Sequence, residues 1–558
     1  MSVIYGIVTF DGSPVKQEML EDMKKAMEFT HPDTEALWQN GSVAIGSLIK
    51  YDTPESFKEK QPIFIEDDCK ILVANARIDN RDELCSIFSI PLIYRDNYPD
   101  SHYIKLAYEK WGESSPDHLL GDWSFAVYDK ASQKLFVARD HCGIMACYYY
   151  SCADFFAFSS SPKGLLALKE IPKEINEFRI AQILVAWPGD GEQTAYKDIY
   201  NIKPGCYLTV QGKEVKKTQY WKLTEQEDLI LPREQDYYDR FIEIFTEAVR
   251  CRLRTTKQVG ISLSGGLDST SIAAIAAIEL AKQNKELFAF TSVPLYKDYK
   301  VPKHRNGDEG ELAGLMAKKY PNIRHFLVNA EGYDPIECIK KAVEIQDEPM
   351  HAAANQYWIQ AINDKAKENG VNILLNGQIG NSTISWPVGK FALYNKKGYS
   401  YFKQRFRTLF YLAINFQRNN LGYDEAFIKS SNINPDFVKR FNFSNKEDWS
   451  DFGSKKFQIK LINEALTNSY IYHFKNSHWQ EVNSLDSSGD VKVIKFCSSI
   501  PNSLYKLNYF DKIFIKKGLI DKIPNEIISS SKRGMQASDI ENRIENNNSM
   551  IITFFDPI

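Results

Sequence analysis

The sequence predicts two domains of different class: a layered α+β domain over residues 1–215 and an α/β domain built on a parallel sheet over 216–558. Three observations carry this. The chain has 558 residues, more than one hydrophobic core accommodates. Up to about residue 210, short apolar runs are bounded by turn residues, as in antiparallel strands. From residue 237 onward, strand-like runs alternate with helical periodicity, which predicts βα units and helices on both faces of a parallel sheet.

In the first domain, strands are predicted at 2–8, 43–49, 71–76, 123–128, 135–138, 155–159 and 206–210, with helices at 16–29 and 101–111. A polar linker covers 224–232. Phe241, Ile244, Phe245, Ala248 and Val249 then recur at helical spacing within 237–253. Further units follow: strand 287–291, helix 309–319, strand 324–328, helix 335–345 and strand 371–375. Residues 380–480 are aromatic, basic and helical in tone, and the tail 541–558 is Asn-rich, then apolar.

Composition narrows the function classes. Hydrophobic content of 43% and charged content of 25% are ordinary for a globular protein. A net charge of −3 supplies no field toward nucleic acid or anionic membrane. The nine cysteines are scattered without a C-x-x-C pair, as expected of reduced thiols and a cytoplasmic location. Neither a signal peptide nor a bilayer-spanning run is read.

The chemistry concentrates after strand 259–263. Leu263, Ser264, Gly265, Gly266, Leu267, Asp268, Ser269 and Thr270 form a strand end, a glycine turn and a helix start. Such a turn aims backbone N–H groups and a helix N-terminus at one point, which suits phosphate. The three hydroxyls can donate to phosphate oxygens, and Asp268 can hold Mg2+. The loop is not a Walker A loop, because no Gly-Lys-Ser/Thr follows the glycines. Strand tips at Thr291 and Asn376 belong to the same end of a parallel sheet, where ligands bind. Gly377, Gln378 and Asn381 follow the second tip, and Lys532 and Arg533 flank Gly534 in a later loop suited to developing negative charge. Ordinary glycine turns and a basic surface loop are the plain alternatives.

The Ser-Gly-Gly-x-Asp-Ser pattern of Ser264–Ser269 resembles the pyrophosphate loop of enzymes that split ATP into AMP and pyrophosphate. With Gly121–Asp129, Val137–Ile144, Ile199–Gly205, Asp308-Glu309, Asp347-Glu348-Pro349 and Lys532-Arg533-Gly534, most of the chain resembles the asparagine synthetase superfamily. That resemblance implies an Ntn-amidohydrolase-like (glutaminase-like) first domain and an asparagine synthetase-like ATP-pyrophosphatase second domain, using ATP and Mg2+. Glutamine-dependent members have an N-terminal Cys nucleophile where Ser2 stands, and Asn-Gly-Glu where Asn75-Ala76-Arg77 stands. The first domain is therefore expected to be an inactive relic. Synthetases also carry Ser-Gly-Glu-Gly-Ala-Asp-Glu where this chain has Asn376-Gly377-Gln378-Ile379-Gly380-Asn381-Ser382. Gln378 thus occupies an acid position and Asn381 a Mg2+-binding Asp position.

The Asn-containing loop running on to Ile384-Ser385-Trp386, the segment Arg533–Asp539, the run Ala76–Leu84 and Asp490–Val493 are similar to the lasso peptide macrolactam cyclases. This resemblance implies a short precursor (core) peptide as substrate. An Asp or Glu side chain would be adenylated and closed onto the peptide's own N-terminal amine. A leader peptidase or leader-recognition partner is implied, without nucleic acid or membrane. Asp268, Gln378 and Lys532 are the expected catalytic positions, with Lys532 stabilising charge at acyl transfer. Leu263–Thr270, Thr291 and Gly377 are the expected nucleotide contacts, and Asp268 and Asn381 the expected Mg2+ ligands. Asp539 is either a local hydrogen-bond partner or a metal ligand. Residues 380–480 are a candidate peptide wall. The alternatives are ammonia-dependent asparagine synthesis, a β-lactam synthetase-type ligase, and a non-catalytic peptide- or nucleotide-binding scaffold.

Overall fold

The computed structural model describes residues 1–66, 69–184, 189–350, 352–386, 434, 436–437, 440–441, 454–505 and 512–546. Most of the expected peptide wall, 387–433 and 442–453, lies outside the described residues, as does the end of the tail, 547–558.

The N-terminal region contains strands β1 (Val3–Thr9), β2 (Thr34–Asn40), β3 (Val43–Ile49), β4 (Ile63–Ile65), β5 (Lys70–Ile78), β6 (Gly121–Asp129), β7 (Lys134–Arg139), β8 (Tyr148–Ser151), β9 (Phe155–Ser159), β10 (Ile199–Asn201), β11 (Cys206–Gln211) and β12 (Glu214–Gln219). They form two six-stranded antiparallel sheets, ordered β10-β8-β9-β1-β3-β2 and β12-β11-β7-β6-β5-β4. The period of two along a strand builds the layers. In β1, Ile4 faces the second sheet through Ile71, Val73 and Val137. Val3, Tyr5 and Ile7 face outward onto Met19, Leu20 and Met23 of the helix Gln17–Ala26. On the far side, Trp123, Phe125 and Val127 of β6 pack on Tyr103, Ile104 and Ala107 of the helix Asp100–Trp111. The result is a helix–sheet–sheet–helix sandwich. β12 runs through the boundary expected at residue 215. Its mostly polar residues lie along a sheet edge, so no apolar alternation marks it.

The C-terminal region contains β13 (Gln258–Ser262), β14 (Leu287–Ser292), β15 (Arg305–Asn306), β16 (Ile323–Val328), β17 (Val371–Asn376), β18 (Asn483–Asp486) and β19 (Arg533–Gly534). Five make a parallel sheet ordered β16-β14-β13-β17-β18, with β13 in the centre. The helices Glu234–Cys251 and Leu267–Ala281 contribute Phe241, Phe245, Ile272 and Ile275 to the core on one face. The helices Pro335–Gln346 and Gln356–Glu368 contribute Cys338, Tyr357, Ala361 and Ile362 to the core on the other. Among the described residues, no helix is long and apolar enough to cross a membrane.

The helix Lys455–Gln480 joins the regions. Phe457 enters the parallel-sheet core, Phe474 enters the core above β1, and Ile462, Leu466 and Tyr470 fill a cluster shared with Cys142 and Ile144. Buried charge crosses the same boundary. Arg252 Nη1 lies 3.5 Å from Asp79 and 3.2 Å from Asp490 and donates to the Ala248 carbonyl at 2.9 Å. Arg77, which stands where the resembled family has a Glu, donates to the carbonyls of Arg254 (3.0 Å) and Cys251 (2.5 Å).

Candidate active site

The central strand β13 ends at Ser262, and the helix Leu267–Ala281 starts five residues later with Gly266 as its N-cap. Between them the chain folds on itself. Ser264 Oγ and Ser269 Oγ lie 2.9 Å apart, Ser264 N–H donates to Ser269 Oγ (3.1 Å), and Gly266 N–H donates to Ser264 Oγ (3.1 Å). Thr270 is fully buried and donates to the Gly266 carbonyl at 2.9 Å. Leu263 is a core residue, and Leu267 packs beside it.

Gly265 N–H donates to Glu309 Oε1 at 3.0 Å. A carboxylate therefore sits at the anion-accepting face of the loop. Burial, opposed by the Gly265 N–H and reinforced by Asp308, moves the Glu309 carboxyl above its ordinary range. A Cβ at Gly534 would lie 2.3 Å from Glu309 Oε2 and would push that side chain aside, so the Lys532–Gly534 segment closes on the same carboxylate. β19 reaches this position by pairing with β15. Lys532 is exposed, one residue before β19.

The second loop meets the first at Asp268. A Cβ on Gly380 would come 2.6 Å from Asp268 Oδ1, and one on Gly377 would come 3.2 Å from Asp268 Cβ, so glycine permits both approaches. Asp268 Oδ1 is buried without a hydrogen-bond partner. Lys512 Nζ lies 3.7 Å from Asp268 Oδ2 and donates to Asn381 Oδ1 at 2.8 Å. The structure thus brings Asp268 and Asn381 around one cation position. Among the described residues, no group of three or more His, Cys, Asp or Glu forms a protein-only metal cage. One carboxylate and one amide oxygen instead suit Mg2+ shared with nucleotide phosphates, because Mg2+ is usually held by one or two carboxylates plus substrate oxygens.

Other expected positions separate by role. The Thr291 hydroxyl donates to the Leu263 carbonyl at 2.8 Å and lies 2.8 Å from His325 Nε2; it braces the loop from beneath and is almost fully buried. Asp539 is a hydrogen-bond partner. It accepts from Leu295 N–H (2.8 Å), Tyr357 Oη (2.9 Å) and Arg543 Nε (3.1 Å). Burial would raise its pKa, but Arg543 and the Leu295 N–H outweigh burial and hold it below the usual carboxylate range. Gln378 faces a cavity of about 820 Å3 between the two regions, lined also by Tyr148, Arg179, Glu348, Trp358 and Gln536. Sequence reasoning missed Lys512, a lone lysine that no motif marks before chain folding brings it to Asp268.

At the N-terminal side, Ser2 Oγ accepts from Lys50 N–H at 3.0 Å, and Asn75 Nδ2 points to Met145 Sδ at 3.2 Å. The cavity bordered by Ser2, Asn75 and Arg77 measures about 50 Å3. That holds a few water molecules, since one needs roughly 10–15 Å3 on this measure. Ser2→Ala is expected to leave AMP release within about twofold of the unsubstituted protein, since a side chain remote from the acyl-transfer site contributes no transition-state contact. Steady-state AMP formation with and without glutamine measures this; a loss confined to glutamine-supported turnover would restore an amidotransferase role.

Comparison with known families agrees with this arrangement. Residues 1–221 match the glutamine amidotransferase domain and residues 240–396 match asparagine synthase. The matched domains are those of an ATP-dependent carbon–nitrogen ligase. A Methanocaldococcus jannaschii protein named as a glutamine-hydrolyzing asparagine synthetase 2 is 28% identical over 372 residues, covering 63% of this chain and 69% of that protein. Glutamine-hydrolyzing asparagine synthetase 3 of Bacillus subtilis is 25% identical over 360 residues, covering 62% of this chain and 57% of the relative. Glutamine-hydrolyzing asparagine synthetase 2 of the same organism is 22% identical over 549 residues, covering 94% of this chain and 70% of the relative. The chain belongs to the asparagine synthetase superfamily.

Proposed function

We propose that the protein is a peptide macrolactam synthetase: it activates a side-chain carboxylate of a short peptide with ATP and joins it to that peptide's own N-terminal amine. The observation that carries this reading is the cavity of about 820 Å3 beside Gln378, bordered by both regions. It lies toward the upper end of the roughly 300–1,000 Å3 of small-ligand sites. A free aspartate would fill only part of it, whereas a folded peptide segment uses both walls. The amides at Gln378 and Asn381 agree, since neither supplies the carboxylate that the resembled synthetases place there.

In this mechanism the loop 264–270 receives the nucleotide phosphates, with Glu309 leaving the Gly265 N–H as they arrive. The substrate carboxylate attacks the α-phosphorus, pyrophosphate departs, and an acyl-adenylate remains. Mg2+, when held by Asp268 and Asn381 with the phosphates, supplies positive charge for the leaving group. Lys512 moves from its Asp268–Asn381 bridge and pairs with phosphate oxygens. Lys532 stabilises charge as the amine displaces AMP. The cavity walls hold the two peptide ends together, which removes most of the orientational cost of ring closure.

The test is incubation with ATP, Mg2+ and synthetic core peptides, followed by AMP assay and mass spectrometry. AMP with peptide lighter by one water is the expected result. The relatives' asparagine synthetase names favour a second reading, ammonia-dependent asparagine formation. Turnover with aspartate and ammonium but none with peptide would establish it. A leader peptidase working beside this protein remains part of the proposal, tested by co-purification.

A further inference from the structure

A histidine on the cavity wall is tied by hydrogen bonds to the loop that bears Gln378. Gln378 N–H donates to Asn376 Oδ1 at 3.1 Å, which turns the Asn376 amide so that Nδ2 points away and donates to Ser484 Oγ at 2.8 Å. Ser484 Oγ lies 3.1 Å from His473 Nδ1. Asn376 and Ser484 belong to neighbouring parallel strands, β17 and β18, and His473 to the helix Lys455–Gln480. His473 borders the same cavity as Gln378.

With Nδ1 engaged, Nε2 is the remaining ring nitrogen, and it has no hydrogen-bond partner among the described residues. Ser484 Oγ accepts from Asn376 Nδ2, and either Ser484 Oγ or His473 Nδ1 can be the donor between them; the Nδ1–H tautomer, in which the serine oxygen accepts twice, is the one that leaves the Nε2 lone pair open. Burial pushes the imidazole down to about 4, so the ring is neutral at pH 7.

Most other titratable groups around the cavity are engaged, although Asp347 Oδ2 and Tyr148 Oη are buried without a hydrogen-bond partner among the described residues. Asp347 is paired with Lys163, Glu348 lies 3.8 Å from Arg179 Nε, Glu464 lies 3.8 Å from Lys460, and Lys475 donates to the Gln346 carbonyl. Gln378 itself stands where the resembled synthetases carry an acid, and an amide cannot take up a proton at neutral pH.

We propose that His473 is the proton acceptor for the attacking amine: Nε2 accepts a hydrogen bond from the amine N–H and takes its proton as the amide forms. The inference rests on the amide-ligase reading above. The amine nitrogen's lone pair forms the new C–N bond, and the bond from the acyl carbon to the AMP phosphate oxygen breaks with its electron pair leaving on AMP. The proton lost by nitrogen moves to Nε2 and then to solvent. Nitrogen attached to a tetrahedral carbon is much more acidic than a free amine, so a weak base suffices.

The full chain is assayed as His473→Ala and His473→Gln with ATP and Mg2+, using two substrate sets. One is a synthetic peptide with a free N-terminal amine and a single Asp; the other is aspartate with ammonium. Substrate-dependent ATP–pyrophosphate exchange reads carboxylate activation, and mass spectrometry reads amide formation. The expected result is exchange preserved within about twofold, amide formation slowed about 10²-fold or more, and partial rescue of His473→Ala by added imidazole. Amide formation at the original rate overturns the assignment. So does loss of exchange and amide formation in equal proportion in both variants, which marks a structural residue. Turnover with aspartate and ammonium alone sinks the peptide reading, and the same comparison then decides His473 on that reaction. No turnover by the unsubstituted protein with either set overturns the ligase reading and this assignment together.

Discussion

Asp268→Ala is expected to lower substrate-dependent ATP–pyrophosphate exchange by about 10³-fold, the scale associated with losing a preorganised charge partner of a transition state. Asp268 belongs to the first turn of the helix Leu267–Ala281, so its removal also takes away a favourable interaction with the helix dipole. That interaction is worth about 0.3–1 kcal/mol, so the fold survives and the loss falls on chemistry. Asp268→Asn keeps the shape beside Gly380 and separates the two effects. It should melt close to the unsubstituted protein and still lose most exchange. Asp268→Glu is not expected to rescue, because Gly377 and Gly380 crowd the Asp268 side chain. Exchange surviving in both the Ala and Asn variants would remove Asp268 from the phosphate and metal machinery.

Arg252→Met is the substitution expected to cost most in stability. Arg252 is 2% exposed and lies within ion-pair distance of Asp79 and Asp490. Asp122 nearby is already pushed up to about 7, chiefly by burial, with Asp79 and Asp140 adding to the rise and Arg252 opposing it. Methionine fills much of the volume and leaves the carboxylates without their cation. Breaking a buried pair in this way costs about 3–5 kcal/mol. The readout is the midpoint of thermal or urea unfolding. Asp79→Asn in the same chain should recover part of the loss, because it removes one of the stranded charges. A double variant no more stable than the single one would place the cost in lost packing instead.

Much of this architecture is written locally. Short apolar runs bounded by turn residues at β1, β5 and β6 disclose the strands of the sandwich, since each buries both of its faces. The glycine loop between a buried strand and an Ala-rich helix discloses the phosphate site. Shorter or more polar elements are silent. β12 lies on a sheet edge with no apolar period, and β18 is a four-residue strand whose partner lies more than a hundred residues earlier. The site's long-range contacts are silent for the same reason. Glu309 at Gly265, Lys512 at Asp268 and His473 behind Asn376 follow from how the chain returns to one sheet end, and local pattern carries no record of that return. Arg77 is instructive in another way. Its departure from Asn-Gly-Glu reads as lost glutamine binding, and the structure adds that the side chain fastens the first region to the end of the helix Glu234–Cys251.

The helix Lys455–Gln480 gives the N-terminal region a structural part in the other region's site. Phe474 is rooted in the core above β1, next to His473, which lines the cavity. Deleting the sandwich would strip one side of this tie-beam while leaving every residue of the phosphate loop in place. The amidotransferase-like fold then serves as masonry, a buttress on which the neighbouring room leans.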